Sequence, residues 1–297
     1  MDELLSALVV LPKYGRGVDI PSHWIVVDKR RVGPFTTSMT LERPDGSQVE
    51  WSAWHHRKGL GLIDDAAESA ETRVEWWTPR RRGWWIAVLF IIGSALFAAG
   101  SFPPTASLLG DTAGMVFFVG SIFFTSAAYL QYYEAINEGD DVAGNGRGGR
   151  LVGLRPQSIG WWAAAIQLIG TLFFNISTFN ALRDLSTRQE EALVWAPDLL
   201  GSIGFLVASG LALAEICHRL WCWKPAEIAW RIAAINMAGS IAFGISAIGA
   251  RIIPETGELN NATVANSFTF IGAVMFFIGA VLLIPAMSSS HRHPTKT

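Results

Sequence analysis

Two glutamates stand at equivalent places at the ends of long apolar runs. Glu134 and Glu215 each lie fourteen residues after a glycine, Gly120 and Gly201, that is followed by a serine and, four places on, by a phenylalanine. A carboxylate at the mouth of an apolar helix takes up a cation or a proton when it faces a cavity, and is solvated when it faces water. Solvation is the expectation so close to water, and a cavity-facing pair is the alternative. Deeper in the runs lies a second polar set. The third position before the glycine holds Phe90 and Phe117 in the first two copies of the pattern, but Gln167, Asp198, Asn236 and Thr269 in the others. Asn175 adds an amide just past Phe174. Within a span such groups either bond across helices, for about 0.6–2 kcal/mol each, or line a ligand patch. Asp198, behind Pro197, also suits the first turn of a helix, where the dipole favours an acid.

Other candidate chemistry is thinner. Cys217, His218 and Cys222 are three potential ligands in six residues, a weak metal signal beside a span, so no metal is expected. The same two cysteines are the only ones in the chain, which excludes a disulfide framework of the secreted kind. In a connector assigned to the cytoplasm they are expected as reduced thiols. His55, His56, His291 and His293 are expected to be solvated. No serine nucleophile, paired carboxylates or zinc-protease motif stands at catalytic spacing. No catalytic residue, cofactor or enzyme activity is therefore expected.

The elements that must position these groups are helices. The pattern of Gly, a small neighbour, Phe at the fourth place and a small residue at the seventh occurs six times, as Gly93/Phe97, Gly120/Phe124, Gly170/Phe174, Gly201/Phe205, Gly239/Phe243 and Gly272/Phe276. Places 0, 4 and 7 share one face of a 3.6-residue helix. Small residues let two helix backbones approach, and Phe fills the space between small positions on a neighbour. Runs near 84–102, 112–133, 159–179, 195–216, 229–250 and 265–286 carry these copies, each of about 20 apolar residues, the length that crosses a ~30 Å hydrocarbon core. With 51% hydrophobic and only 16% charged residues, which crowd residues 1–83 and a few short connectors, the composition points the same way. Adjacent copies run in opposite directions, so the expected unit is a hairpin of two spans, present three times.

Lysine and arginine counts orient the spans. Eleven (Arg80, Arg81, Arg82, Arg147, Arg150, Arg155, Arg219, Lys224, Arg231, Arg292 and Lys296) fall on one side, and Arg183, Arg188 and Arg251 on the other. The excess places both termini in the cytoplasm. The tryptophan pairs Trp76-Trp77 and Trp84-Trp85 around the arginine triplet read as a headgroup-level anchor. The acidic start Met1-Asp2-Glu3 argues against a signal peptide, and the net charge of −2 argues against nucleic acid. The glycine-rich stretch Gly139–Arg150 lacks the Gly-Lys-Ser/Thr ending of a phosphate loop and reads as a flexible linker.

Residues 1–78 read as a small cytoplasmic α+β domain. Leu4, Leu5, Leu8 and Leu11 have helical spacing, Trp24 to Val27 is strand-like, and Thr40–Glu42 and Val49–Trp51 flank an Asp45-Gly46 turn. Asp64 to Trp77 is expected to be helical. Residues 288–297 form a tail.

The strings Gly160-Trp161-Trp162-Ala163-Ala164-Ala165-Ile166-Gln167-Leu168-Ile169-Gly170-Thr171-Leu172-Phe173-Phe174-Asn175, Pro197-Asp198-Leu199-Leu200-Gly201-Ser202 and Asn236-Met237-Ala238-Gly239-Ser240-Ile241-Ala242-Phe243 resemble a family of uncharacterised bacterial integral membrane proteins with YrhK-like segments. The resemblance covers roughly residues 84–287. It implies a plasma-membrane protein of actinobacterial type and brings no activity, cofactor or catalytic residue. The expectation is thus an all-α bundle of six spans behind the N-terminal domain, surrounded by membrane lipid and capable of homo-oligomers. Its expected function is to bind or pass a small solute or ion between its hairpins. The alternative is a scaffold or sensor whose residues 1–78 dock a cytoplasmic protein partner.

Overall fold

The computed structural model describes residues 20–21, 23–64, 75–137 and 149–289 of the 297-residue chain. The helix expected over Leu4–Leu11, most of the glycine-rich linker, and His291 and His293 lie outside the described residues. β1 (Ile25–Val32), β2 (Phe35–Glu42) and β3 (Gln48–Ser52) form an antiparallel meander, and the two-residue β4 (Ile63–Asp64) adds to its edge. The hairpin forms where the turn residues put it. Leu41 pairs with Val49, and Gly46 takes the left-handed φ of 82° that a side chain would resist. In β3 the alternation is clean, with Val49 and Trp51 buried and Gln48 and Glu50 turned the other way. The helix expected from Asp64 to Trp77 does not form at its described ends: Ile63–Asp64 is drawn into the sheet by β3, and Glu75–Trp77 is irregular. Residues 65–74 are outside the described residues.

A five-residue helix, α1 (Ala53–Arg57), follows β3 directly. The rest is helical. Each apolar run folds as a long helix: α2 (Arg82–Ser101), α3 (Ala113–Ile136), α4 (Ile159–Asn180), α5 (Ala196–Cys217), α6 (Ile228–Gly249) and α7 (Ala262–Ser289). A short helix (Thr187–Glu190) and one π turn (Glu191–Trp195) lead into α5. The six helices neighbour one another in chain order, and α7 closes the ring against α2.

Two kinds of seam hold the ring. Within α2/α3, α4/α5 and α6/α7 the motif glycines face each other. A β-carbon on Gly93, Gly170 or Gly239 would come within 3.1 Å of the carbonyl oxygen of Gly120, Gly201 or Gly272. Any larger residue would push these backbones apart. At two of the three seams between those pairs, α3/α4 and α5/α6, hydroxyls bond across. Ser121 bonds Thr178 at 3.0 Å, Ser209 bonds Ser240 at 2.8 Å, and Ser202 donates to the Phe243 carbonyl at 3.3 Å.

The motif phenylalanines all meet on the axis. Phe97, Phe174 and Phe243 form one triangle with ring centres 6.0–6.4 Å apart. Phe124, Phe205 and Phe276 form a second, at 5.5–6.4 Å. The triangles touch through Phe97–Phe124, Phe174–Phe205 and Phe243–Phe276 at 5.2–5.6 Å. All six rings are at most 5% exposed. Facing aromatic rings at these separations leave the centre of the bundle filled.

The sheet sits on the end of the bundle formed by the start of α2 and the end of α3, here called the domain end. Met39, Leu41, Val49 and Trp51 pack with Ile159 and Ala214 of α4 and α5, while Trp54 and Leu60 belong to the core of the helices. Sheet and helices share their cores.

Candidate functional site

The densest chemistry lies at this junction. β3 runs straight into α1, so Trp54, His56, Arg57 and Lys58 are carried over the ends of α3, α4 and α5. Arg57, 2% exposed, places Nη2 2.6 Å from Oε2 of Glu215 and donates from Nη1 to Oε1 of Gln131 at 3.1 Å. Lys58 donates from Nζ to the same Gln131 oxygen at 2.9 Å and lies 5.8 Å over the ring of Phe90. Burial, reinforced by the guanidinium of Arg57, holds the Lys58 ammonium well below the usual lysine value, with Glu215 opposing. Glu215 is 1% exposed and its Oε1 accepts no hydrogen bond among the described residues. Arg57 Nε and Gln131 Nε2 are likewise buried without partners. Such a half-saturated network depends strongly on every bond it does make.

Glu134 fills the same role one helix pair away. Its carboxylate stands 2.7 Å from Nε of Arg82, the first residue of α2, whose guanidinium also lies 5.3 Å over Tyr133. The Glu134 carbonyl accepts from His56 Nε2 at 3.0 Å. The third equivalent place, fourteen residues after Gly272, is Ala286. Its neighbour Met287 offers a carbonyl, which accepts from Arg81 Nη1 at 3.1 Å. Each helix that arrives at the domain end therefore meets an arginine.

The expectation that the two glutamates are solvated is corrected: both are buried, because the N-terminal domain and the start of α2 cover them. The cation each meets belongs to the same chain. His56 is buried too, at 5% exposure. Arg57, Lys58 and Gln131 were not singled out from the sequence. The available signal was charge density, since Trp54-His55-His56-Arg57-Lys58 precedes Gly59 without an acid to balance it.

No protein-family model, curated protein or solved structure matches this chain. Its site is therefore read from geometry alone.

The cysteines correct a second expectation. Cys217 and Cys222 are joined as a disulfide. His218 ends α5 in the left-handed region at φ 53°, and the sharp return brings the two Cα atoms to 5.4 Å, within bridging range. Neither sulfur is then a thiolate ligand. His218 shares a 2.7 Å hydrogen bond between Nδ1 and Thr37 Oγ1 of β2, a further tie between sheet and helices. Burial, then the charges of Arg30 and Lys224, pull the His218 imidazole down to about 4, against the opposing Asp28.

The polar candidates within the long helices do not converge. Asn175 donates to Thr125 Oγ1 of α3 at 2.9 Å, and Thr269 bonds Ser246 of α6 at 2.6 Å. Asn236 turns its amide oxygen against Gly279 of α7, where it accepts no hydrogen bond among the described residues. The side chains of Gln167 and Asp198 make no hydrogen bond or ion pair among the described residues. Gln167 and Asn236 lie in the half of the bundle near the domain, Asp198 and Thr269 in the distal half. Alternate helices run in opposite directions, so the same offset from the glycine falls at opposite depths. Glu134 and Glu215 escape this because both sit on helices running toward the domain.

Proposed function

We propose that the chain is a multi-pass integral membrane protein whose six helices form a closed platform of three repeated hairpins, and that it works as a membrane-anchored scaffold or sensor. The observation that carries this reading is the combination of a phenylalanine-filled axis with the buried Arg57–Glu215 ion pair, which fastens the sheet side of the chain to the helices. Insertion in a bilayer is supported by the outward-facing belt, where Ile122, Ile169, Ile203, Ile241 and Ile271 are 40–53% exposed on long apolar helices. The reading places the domain end in the cytoplasm by its arginine excess. The kinship with YrhK-like membrane proteins, carried by Trp161 to Asn175 on α4, belongs to the same reading.

On this platform the outermost strand faces water. β1 pairs only with β2 among the described residues, and its Ile25, Val26 and Val27 are 44–64% exposed beside Lys29, Arg30 and Arg31. An open strand edge with basic side chains suits a partner that adds an acidic strand. A photo-crosslinking residue at Val27 is expected to give one discrete protein adduct in cells, and the same residue at Ile203 only lipid adducts. Identical patterns from the two positions contradict the scaffold reading.

Passage of a solute or ion between hairpins is the second reading. One observation favours it: the amide oxygens of Asn175 and Asn236 are buried acceptors without hydrogen bonds among the described residues. Its test is solute-dependent flux or thermal shift that alanine at Gln167 and Asn236 abolishes without lowering stability.

A further inference from the structure

A cavity of about 340 Å³ opens beside the junction, lined by His56, Gly59, Leu62, Arg80, Arg81, Arg82 and Glu134 among others. Its volume falls within the range of small-ligand sites, about 300–1,000 Å³. Three arginines and one glutamate line it, so the lining carries a net positive charge. The carboxylate is already matched by Arg82. Arg81 gives one N–H to the Met287 carbonyl, and Arg80 makes no hydrogen bond or ion pair among the described residues. Each guanidinium carries five donors in a planar fork, which leaves Arg80 and Arg81 able to grip a second anion. Gly59 forms part of the wall in a left-handed conformation, φ 67°, and its backbone lies so close to Gly83 that a β-carbon would approach the Gly83 nitrogen to 2.6 Å. The start of α2 is thereby fixed against the domain, with the three arginines on one short segment.

The surroundings identify the anion's source. Trp76, Trp77 and Trp85 are 45–76% exposed around the cavity segment. The Trp84 and Trp85 indole N–H groups donate back to the carbonyls of Trp76 and Pro79, which ties the aromatic cluster to the arginine segment. Indole rings held this way mark the headgroup level of a bilayer, where the anions at hand are lipid phosphates. We infer that this cavity holds the phosphate of one anionic phospholipid headgroup, gripped by Arg80 and Arg81 at the seam between domain and spans. Arginine forks recognise phosphate oxygens in pairs, and a headgroup seated here joins the platform to its bilayer. The inference rests on the chain spanning a membrane.

The test uses the full chain in nanodiscs of equal phosphatidylcholine and phosphatidylglycerol, followed by native mass spectrometry of retained lipid. Wild type is expected to keep one phosphatidylglycerol per chain. The Arg80→Gln/Arg81→Gln variant is expected to keep none, and Arg188→Gln/Arg251→Gln, at the opposite end of the bundle, to retain lipid as wild type does. Equal retention in all three proteins, or wild-type preference for neither lipid, overturns the site. The wild-type comparison stands even if the double variant fails to fold. Inorganic phosphate in neutral detergent is the second probe, read by thermal shift. Stabilisation by phosphate alone that matches the lipid effect overturns the lipid assignment in favour of a soluble phosphate ligand. Alkaline carbonate extraction separates the two levels: a chain that washes off the membrane refutes spanning, whereas a chain that stays and keeps no lipid refutes only the site.

Discussion

Lys58 and Arg57 are neighbours in sequence and opposites in consequence. Arg57 has a carboxylate partner at 2.6 Å, whereas Lys58 has only an amide oxygen and an aromatic face. A buried cation with no carboxylate in direct contact costs more than it returns, and an apolar residue of similar shape is often neutral or stabilising in its place. Lys58→Met is therefore expected to hold or raise the melting temperature of the purified protein, and a drop of several degrees contradicts this view of the junction. His218 gives the junction a pH response. Its folded value near 4 lies below the ordinary 6.5, so the unfolded chain binds the proton more readily. The stability that His218 contributes is present above pH 6.5, is lost as pH falls toward 4, and is flat below. Melting temperatures measured between pH 7.5 and 4 are expected to fall along this limb, and to fall less in His218→Asn, which tolerates the left-handed backbone. An unchanged limb in that variant removes His218 from the account.

Among the elements, the helix pairs depend on glycines that permit contact and phenylalanines that fill the centre. Gly170→Leu is expected to break the α4/α5 crossing, since even a β-carbon there meets the Gly201 carbonyl at 3.1 Å. Phe205→Ala removes a ring that touches members of both triangles. In lipid the loss is packing rather than transfer from water, so its cost is expected at the low end of the ~3–5 kcal/mol typical of Phe→Ala. Detergent-titrated unfolding checks both, and a wild-type curve for Gly170→Leu contradicts the close crossing. The motif itself was legible in the sequence, because glycine spacing and helix period fix a face without reference to neighbours. The polar set was not. Gln167, Asp198, Asn236 and Thr269 share an offset along the chain, but depth depends on helix direction, so they never form one patch. Cys217 and Cys222 were misread because pairing depends on a turn at His218 that spacing alone does not reveal.

For the molecule as a whole, composition made six apolar helices legible, while the joint between sheet and helices was not. Glu134 and Glu215 were visible as candidates, but their partners Arg82 and Arg57 come from 52 and 158 residues away in the chain, and contacts at that range leave no local pattern. Both ends of the joint also bear on orientation. The arginine-rich end carries the disulfide, a bond uncommon in reducing compartments, whereas the proposed orientation, which rests on the basic excess, has that end in the cytoplasm. Reporter fusions at Gly110 and Gly257 decide the matter. Activity on the non-cytoplasmic side is expected, and a cytoplasmic signal inverts the molecule.

The central claim is that the sheet domain is fastened to the bundle by a buried ion pair, and a double-mutant cycle on Arg57 and Glu215 tests it most directly. Arg57→Leu and Glu215→Leu each strand one buried charge and are expected to destabilise the full chain by about 3–5 kcal/mol. The double variant is expected to recover most of that loss, because it strands neither. Additive losses from the two substitutions would contradict the account.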